Sequence, residues 1–334
     1  MGAYAVGHDT GDLDHLAASA RAAMVREIEA GGALDGDPSW REAFATVPRH
    51  LFVPSYYVGV RGGYARLRSD DPDPRGRERW LEGAYADTPL ATWVRDGELV
   101  SSSSQPSLMA RMLVDLQIGD GDTVLEIGAG TGYNAALLAH RLGDALVTTV
   151  DLDPEITEAA RRHLAAVGRR PAVVTGDGAQ GCPERAPFDR IIVTCAVDSV
   201  PPAWLAQSRP GAHILAPLAN GLIDLRVRDE EHAEGRFLHT PAYFVPLRGG
   251  GARPRTGHPP ERPDHETLPR WAVRHELFRF LLSLTAGHLE PREALALWER
   301  EGQPVRERYG ITVEDGRRWA WLDDPRGPHA WPLP

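Results

Sequence analysis

Val124-Leu125-Glu126-Ile127-Gly128-Ala129-Gly130-Thr131-Gly132-Tyr133 is an apolar run that enters a turn with glycine at every second position. It then leaves into the Ala- and Leu-rich stretch from Asn134. This order predicts a buried strand, a tight turn and a helix start. Without Cβ atoms at 128, 130 and 132 the backbone can bend sharply and approach a ligand closely, while the first helical turn offers N–H groups that have no intrahelical partner. The dinucleotide fingerprint needs glycine at 133, where this chain has Tyr133, so the turn favours a nucleoside without phosphates.

Working outward, a second predicted strand ends at Asp151-Leu152, about 20 residues past the glycines, where a carboxylate can accept hydrogen bonds from both hydroxyls of a ribose. A third ends at Gly176-Asp177-Gly178. Taken together, the glycine turn and the two acidic strand ends resemble the S-adenosylmethionine (AdoMet) site of Rossmann-like methyltransferases. That resemblance implies AdoMet as cofactor and S-adenosylhomocysteine as product. It assigns Glu126, Gly128, Ala129, Gly130, Gly132, Tyr133, Asp151, Leu152, Gly176, Asp177 and Gly178 to the cofactor.

Short apolar runs at Thr123–Ile127, Leu146–Val150, Ala172–Thr175 and Arg190–Thr194 alternate with helical stretches at Tyr133–Leu142 and Pro154–Val167, which predicts a mostly parallel sheet covered on both faces. Ile214–Pro217 and Leu222–Arg228 extend it after an Arg209-Pro210-Gly211 turn. The expected fold class is α/β: a Rossmann-like class I AdoMet-dependent methyltransferase sheet with an N-terminal helical segment and a smaller C-terminal α+β extension. Residues 1–100 form the helical, substrate-side segment, 101–248 the methyltransferase domain, 249–269 a Gly/Pro/Arg-rich linker and 270–334 the extension.

Within the first segment, Leu13–Ala30 has helical apolar spacing, and a second helix begins with Ser39 at its cap. The segment Val47–Pro54 reads as an extended apolar linker between two prolines. An insertion at 59–82, rich in Arg, Asp, Gly and Pro from Gly59 to Arg79, reads as a weakly ordered surface loop. In the extension, one helix from about Trp271 to Ala286, another around Arg292–Arg300 and a hairpin at Glu314-Asp315-Gly316 are expected.

Composition limits the partners. With 47 acidic and 37 basic residues the formal charge is −10, which argues against nucleic acid and anionic membrane surfaces as partners. No segment approaches membrane-spanning length and the start is acidic, so a cytoplasmic location and a monomer are the default expectations. Cys182 and Cys195 fit no metal or disulfide spacing, and the 13 histidines form no ligand cluster, so no metal is expected.

Over residues 40 to 220 the sequence resembles the protein-L-isoaspartate O-methyltransferase family. Val47-Pro48-Arg49 with Phe52-Val53-Pro54, Ala84-Tyr85-Ala86-Asp87-Thr88-Pro89-Leu90 and Ser104-Gln105-Pro106 match its substrate-side segments. Gly176-Asp177-Gly178, Gly181-Cys182-Pro183, Ala186-Pro187-Phe188-Asp189, Ile191–Thr194 and Arg209-Pro210-Gly211 follow in the family's order. The resemblance implies a peptide or protein substrate bearing Asp or isoAsp, Ser104, Ser103 and Ser102 as catalytic residues, and Asp87, Pro89, Leu90 and Gln105 as substrate-binding residues.

Two departures stand out. Ser103 replaces an apolar residue of the family's Thr-Ile-Ser-Gln-Pro stretch, with Ser102 at the threonine position, which predicts a more polar cleft. The chain is also longer than repair enzymes of the family. On these grounds the first expectation is methylation of an aspartate in a ribosomally made peptide, of lanthipeptide, lasso-peptide or graspetide type, leading to an aspartimide. The alternative is an L-isoaspartyl repair enzyme, and a third reading is a catalytically idle AdoMet-binding module that recognises a peptide.

The chemistry itself asks little of the protein. A carboxylate with an ordinary pKa of about 4 is already a nucleophile at neutral pH, so positioning replaces general-base catalysis. For several residues two roles stay open. The serine run is either a solvated loop or the acceptor site. Asp87 either caps a turn or borders the substrate, and Trp319, Trp321 and Trp331 either form a local core or clasp a peptide.

Overall fold

A computed structural model describes residues 7–35, 37–249 and 268–334, with side chains in the first helix from Leu13 onward. The expected linker at 249–269 lies almost entirely outside the described residues. The chain divides into two compact units, one of residues up to 122 together with 129–175, the other of 123–128 together with 176 onward.

The first unit begins with helix α1 (Gly7–Ala30), which ends at the expected glycines and buries Met24, Val25 and Ile28. Helix α2 (Pro38–Thr46) is capped two residues earlier than read from the sequence, because the Asp37 carboxylate, not the Ser39 hydroxyl, accepts a free N–H of the first turn, that of Ser39, at 2.9 Å. The following apolar stretch is not extended. Arg49–Phe52 forms a 3-10 turn with Arg49 and Phe52 buried.

The region expected to be a loose loop is ordered. Strands β1 (Ser55–Val60) and β2 (Gly63–Arg68) form a hairpin, and helix α3 (Pro74–Ala84) follows. Tyr56 and Leu67 pair across the hairpin, with Tyr56 buried, Gly62 supplies the left-handed turn residue, and the Asp73 carboxylate caps α3 by accepting from Arg75 N at 3.1 Å. Composition hid β2 and α3, since the stretch from Gly59 to Arg79 is rich in Arg, Asp, Gly and Pro and every residue of β2 is at least partly exposed. Strands β3 (Leu90–Arg95) and β4 (Glu98–Ser103), joined through the left-handed pair Asp96-Gly97, complete a four-stranded antiparallel sheet in the order β2-β1-β3-β4. Helix α4 (Pro106–Asp115) follows β4 at once.

The second unit opens with β5 (Val124–Ile127), buried throughout. The rest of the first unit comes next in the chain. Helix α5 (Tyr133–Leu142) has the expected bounds, strands β6 (Val147–Asp151) and β7 (Ala172–Thr175) pair in parallel, and helix α6 (Pro154–Ala166) joins them.

In the second unit β8 (Phe188–Val193) pairs in parallel with β5 and with β9 (Ser208–Leu218), after the short helix α7 (Pro202–Ala206). The expected Arg209-Pro210-Gly211 turn is instead an irregularity inside β9, where the register with β8 shifts and Gly211 adopts a positive φ. From β9 onward the sheet is antiparallel through β10 (Gly221–Val227) and β11 (Ala233–Pro241), so parallel pairing in this unit is confined to β5, β8 and β9.

After residue 268, helices α8 (Arg270–Arg274) and α9 (Glu276–Leu284) replace the single helix read from the sequence. His275 is extended between them, and its carbonyl starts α9 anew by accepting from Arg279 N. Helix α10 (Pro291–Arg300) and the hairpin of β12 (Tyr309–Glu314) and β13 (Arg317–Leu322) appear where expected, with Asp315-Gly316 as its left-handed turn. Strand β12 pairs with β11, and β14 (Ala330–Pro332) closes the edge. Trp321 is buried and Trp331 nearly so. Among the described residues no helix is long and apolar enough to cross a membrane, and no cluster of His, Cys, Asp or Glu is suited to a metal.

Candidate active site

The bend between β5 and α5 is set by its own residues. Gly128, Gly130 and Gly132 have φ of 98°, 50° and 85°, the left-handed region that a side chain disfavours. Space matters as well at all three: a Cβ on Gly128 would lie 2.6 Å from Thr194 Oγ1, one on Gly130 would lie 3.3 Å from the carbonyl oxygen of Ser102, and one on Gly132 would lie 3.3 Å from Ala160. The glycine turn therefore runs directly against the serine segment at the end of β4.

Asp151, at the end of β6 and 9% exposed, accepts from Gly130 N at 3.1 Å, which ties the turn to the carboxylate. The next residue, Leu152, is a large apolar side chain left exposed, and Asp153 caps α6 by accepting from Glu155 N at 2.9 Å. His163 on α6 pins the turn from its other side. Its Nδ1 is 2.9 Å from the carbonyl oxygen of Thr131, which can only accept, so Nδ1 carries the proton. Burial lowers the His163 pKa, which keeps the ring neutral.

Ala129 is buried and donates its N–H to Val150 O at 3.2 Å. The Tyr133 ring packs against Phe44 and Phe52 with centroids 6.2 and 5.5 Å away, so its side chain belongs to the helical core.

The remaining sequence-assigned cofactor residues belong to the second unit. Glu126 is buried in β5. Asp177 caps the short turn after it by accepting from Ala179 N at 2.9 Å. Gly178 is enclosed, since a Cβ there would meet Ile127 Cγ2 at 2.7 Å, and its carbonyl accepts from Trp204 Nε1 at 2.8 Å. Gly176 is partly open, with nothing near its missing side chain.

The substrate-side segment is organised by Arg49, a residue to which the sequence pattern assigned no role. Arg49 is fully buried. Through Nη1 it donates to the carbonyls of Ala84 at 2.8 Å and Ala86 at 3.1 Å; through Nη2 it reaches those of Thr88 at 3.2 Å and Ser104 at 3.1 Å, with Ser103 Oγ at 3.4 Å. Burial pulls its pKa down to about 10, still well above neutrality, so the guanidinium stays charged. One side chain thus fixes both the Ala84–Thr88 bend and the serine segment. An arginine set between Val47-Pro48 and Leu51-Phe52 was the available signal, because such a charge inside an apolar stretch needs partners.

Asp87 caps the start of α4 and not the turn before Pro89 that the sequence suggested. Its carboxylate accepts from Ser107 N at 2.8 Å, at the start of α4, and from Gln105 Nε2 at 3.0 Å. Gln105 is thereby turned toward Asp87 and Ser107. Pro89 is exposed, and Leu90 is buried opposite Ser103 in the β3–β4 pair. Ser103 is 3% exposed and Ser101 6%, whereas Ser102 between them and Ser104 after them are partly open. Alternation along β4 puts Ser103 on the buried face, so its hydroxyl does not add polarity beside Ser102 as the sequence reading expected.

An α/β chain with a buried strand, a G-x-G-x-G turn and an acidic end on the following strand has the architecture of a class I AdoMet-dependent methyltransferase. Residues 76–251 match the family model described as Protein-L-isoaspartate(D-aspartate) O-methyltransferase. The chain is 34% identical over 259 residues to protein-L-isoaspartate O-methyltransferase 2 of Syntrophobacter fumaroxidans, covering 74% of this chain and 93% of that one. A solved structure described as protein-L-isoaspartate O-methyltransferase superposes with a TM-score of 0.61 at 22% identity, over 93% of this chain and 98% of its own. Another, from Plasmodium falciparum and in complex with S-adenosyl-L-homocysteine, superposes with a TM-score of 0.50 at 14% identity over 68% of this chain and 97% of its own. The chain belongs to the protein-L-isoaspartate O-methyltransferase family, whose methyl donor is AdoMet.

Proposed function

We propose that the chain methylates the free carboxylate of an L-isoaspartyl residue in a peptide or protein. The observation that carries this reading is the approach of Gly130 to the Ser102 carbonyl, which sets the cofactor turn against the segment that leads into Ser104-Gln105-Pro106, so closely that a Cβ at 130 would sit 3.3 Å from that oxygen. The cradle fits a nucleoside donor: Gly128, Gly130 and Gly132 leave the backbone bare, and Asp151 supplies a carboxylate suited to a ribose. When bound, AdoMet supplies an electrophilic methyl group on a sulfonium.

What the chain's own residues do is position. The acceptor carboxylate is ionised at neutral pH and needs no base, so Ser102 and Ser104 orient it through hydroxyl donors, while Arg49 keeps the segment that bears them from shifting. Gln105 and Asp87 brace the start of α4 behind them.

Two grounds had favoured aspartate in a maturing peptide, and both weaken. The Ser103 hydroxyl lies on the buried face beside Arg49. Chain length loses weight because the 93% overlap with a solved structure takes in most of the region after residue 268.

Matched isoaspartyl and aspartyl peptides, incubated with AdoMet and followed by mass spectrometry, test the reading. Methyl transfer to the isoaspartyl peptides is expected, and a preference for aspartyl peptides with net loss of water would reverse it. Replacing Ser104 with Ala slows methyl transfer about tenfold, while S-adenosylhomocysteine affinity stays within about twofold.

A further inference from the structure

The register of the four-stranded sheet joins the candidate site to its far edge. Ser102 on β4 pairs with Ala91 on β3, Ala91 with Tyr57 on β1, and Tyr57 with Arg66 on β2. Directly paired residues share a face, so these four form one row across one side of the sheet. That side is the more open one: Arg66 is exposed and Tyr57, Ala91 and Ser102 are partly so, whereas Tyr56, Leu90 and Ser103 of the opposite face are buried.

Arg66 is held for use. Its Nη2 and Nε lie 2.6 and 3.1 Å from Ser55 Oγ, and its guanidinium carbon sits 5.8 Å from the centre of the Tyr57 ring. Neither contact neutralises it. Tyr64, 81% exposed, and Arg68, which pairs with Asp70 at 3.4 Å, flank it on the same strand and face, leaving Arg66, among the described residues, as the cation of this row without a carboxylate partner. From Ser55 to Arg68 the hairpin has three arginines and no acidic residue, in a chain whose net charge is −10. A basic, aromatic face on an acidic protein complements an acidic ligand.

We propose that Arg66, braced by Ser55 and Tyr57, reads a carboxylate side chain of the substrate peptide. With strands about 4.8 Å apart, three strand steps separate Arg66 from Ser102 by about 14 Å, the reach of about four extended residues. The acidic residue recognised is therefore about four positions from the one being methylated. This rests on the carboxyl methyltransferase reading above and adds a sequence preference to it.

The test uses the full chain and isoaspartyl peptides with Glu or Gln placed four residues before, or four after, the reacting residue. In one of the two placements kcat/KM should favour Glu by about three- to fivefold, the range of an exposed ion pair, with the difference carried by KM and reduced by added salt. Arg66→Ala should bring that ratio to about one, Arg66→Glu should invert it and Arg66→Lys should retain part of it, with melting temperatures close to that of the parent. A wild-type ratio of one at both placements, a ratio unmoved in Arg66→Ala, or a preference for acid at every position alike would overturn the subsite while leaving the methyltransferase reading intact. Absence of methyl transfer to every isoaspartyl and aspartyl peptide would overturn both.

Discussion

Two bends frame the candidate site, and they are held by opposite means. The turn at Gly128–Gly132 is shaped by three left-handed glycines within five positions, so its form is written where it occurs. The bend at Ala84–Thr88 and the serine segment beside it are shaped by Arg49, whose partners lie 35 to 55 residues away along the chain. A local bend survives loss of distant contacts but tolerates no side chain of its own. A bend held from a distance tolerates change at its own positions and fails when the one distant group is lost.

The largest expected effect breaks the second bend. Arg49→Met strips donors from four buried or part-buried carbonyls, and should cost about 3–5 kcal/mol in chemical denaturation. Arg49→Lys, which lacks the planar fork, should recover less than half. A cost near zero would erase the distinction between the bends.

Next in size is Asp151→Ala. Loss of charge-assisted hydrogen bonds to a ribose, together with the tie to Gly130 N, should weaken S-adenosylhomocysteine about a hundredfold by calorimetry. An unchanged affinity would separate the glycine turn from cofactor binding.

A pH experiment sharpens the contrast further. His50, beside Arg49, packs on Trp80 and Tyr85, and its Nδ1 lies 2.7 Å from the Tyr85 hydroxyl. Burial first, and the positive charge of Arg21 second, push its pKa down to about 4. Because the folded value is below the unfolded value of about 6.5, the unfolded chain binds the proton first. The stability that neutral His50 contributes is therefore full above pH 6.5 and drains away as the pH falls toward 4. Its size is on the order of 1–2 kcal/mol, and His50→Gln should flatten this part of the stability profile.

The smallest effect is expected at Asp87. Asp87→Ala removes the cap on Ser107 N and the anchor of Gln105, for a loss of about 1 kcal/mol in thermal or chemical melts.

What the sequence made legible follows the same division. The glycine turn, α5 and β7 were read to the residue because spacing and composition determine them over a few positions. Asp151 was legible for a similar reason, as the acidic end of an apolar strand.

Other features needed the fold. Strand β2 looked like part of a loop because the stretch from Gly59 to Arg79 is dominated by arginine, aspartate, glycine and proline, and no residue of β2 is fully buried. The role of Arg49 was hidden because every one of its partners is distant, and the capping role of Asp87 because the N–H it serves is 20 residues on. The break at His275 was hidden too, since the apolar spacing from Trp271 to Leu284 runs on through it.

A crystal structure of the protein soaked or grown with S-adenosylhomocysteine tests the central claim most directly. The account predicts the nucleoside in the glycine turn, with its ribose hydroxyls on the Asp151 carboxylate and its sulfur facing the Ser102–Ser104 segment. A nucleoside bound elsewhere, or one in the turn with its sulfur directed away from those serines, would contradict it.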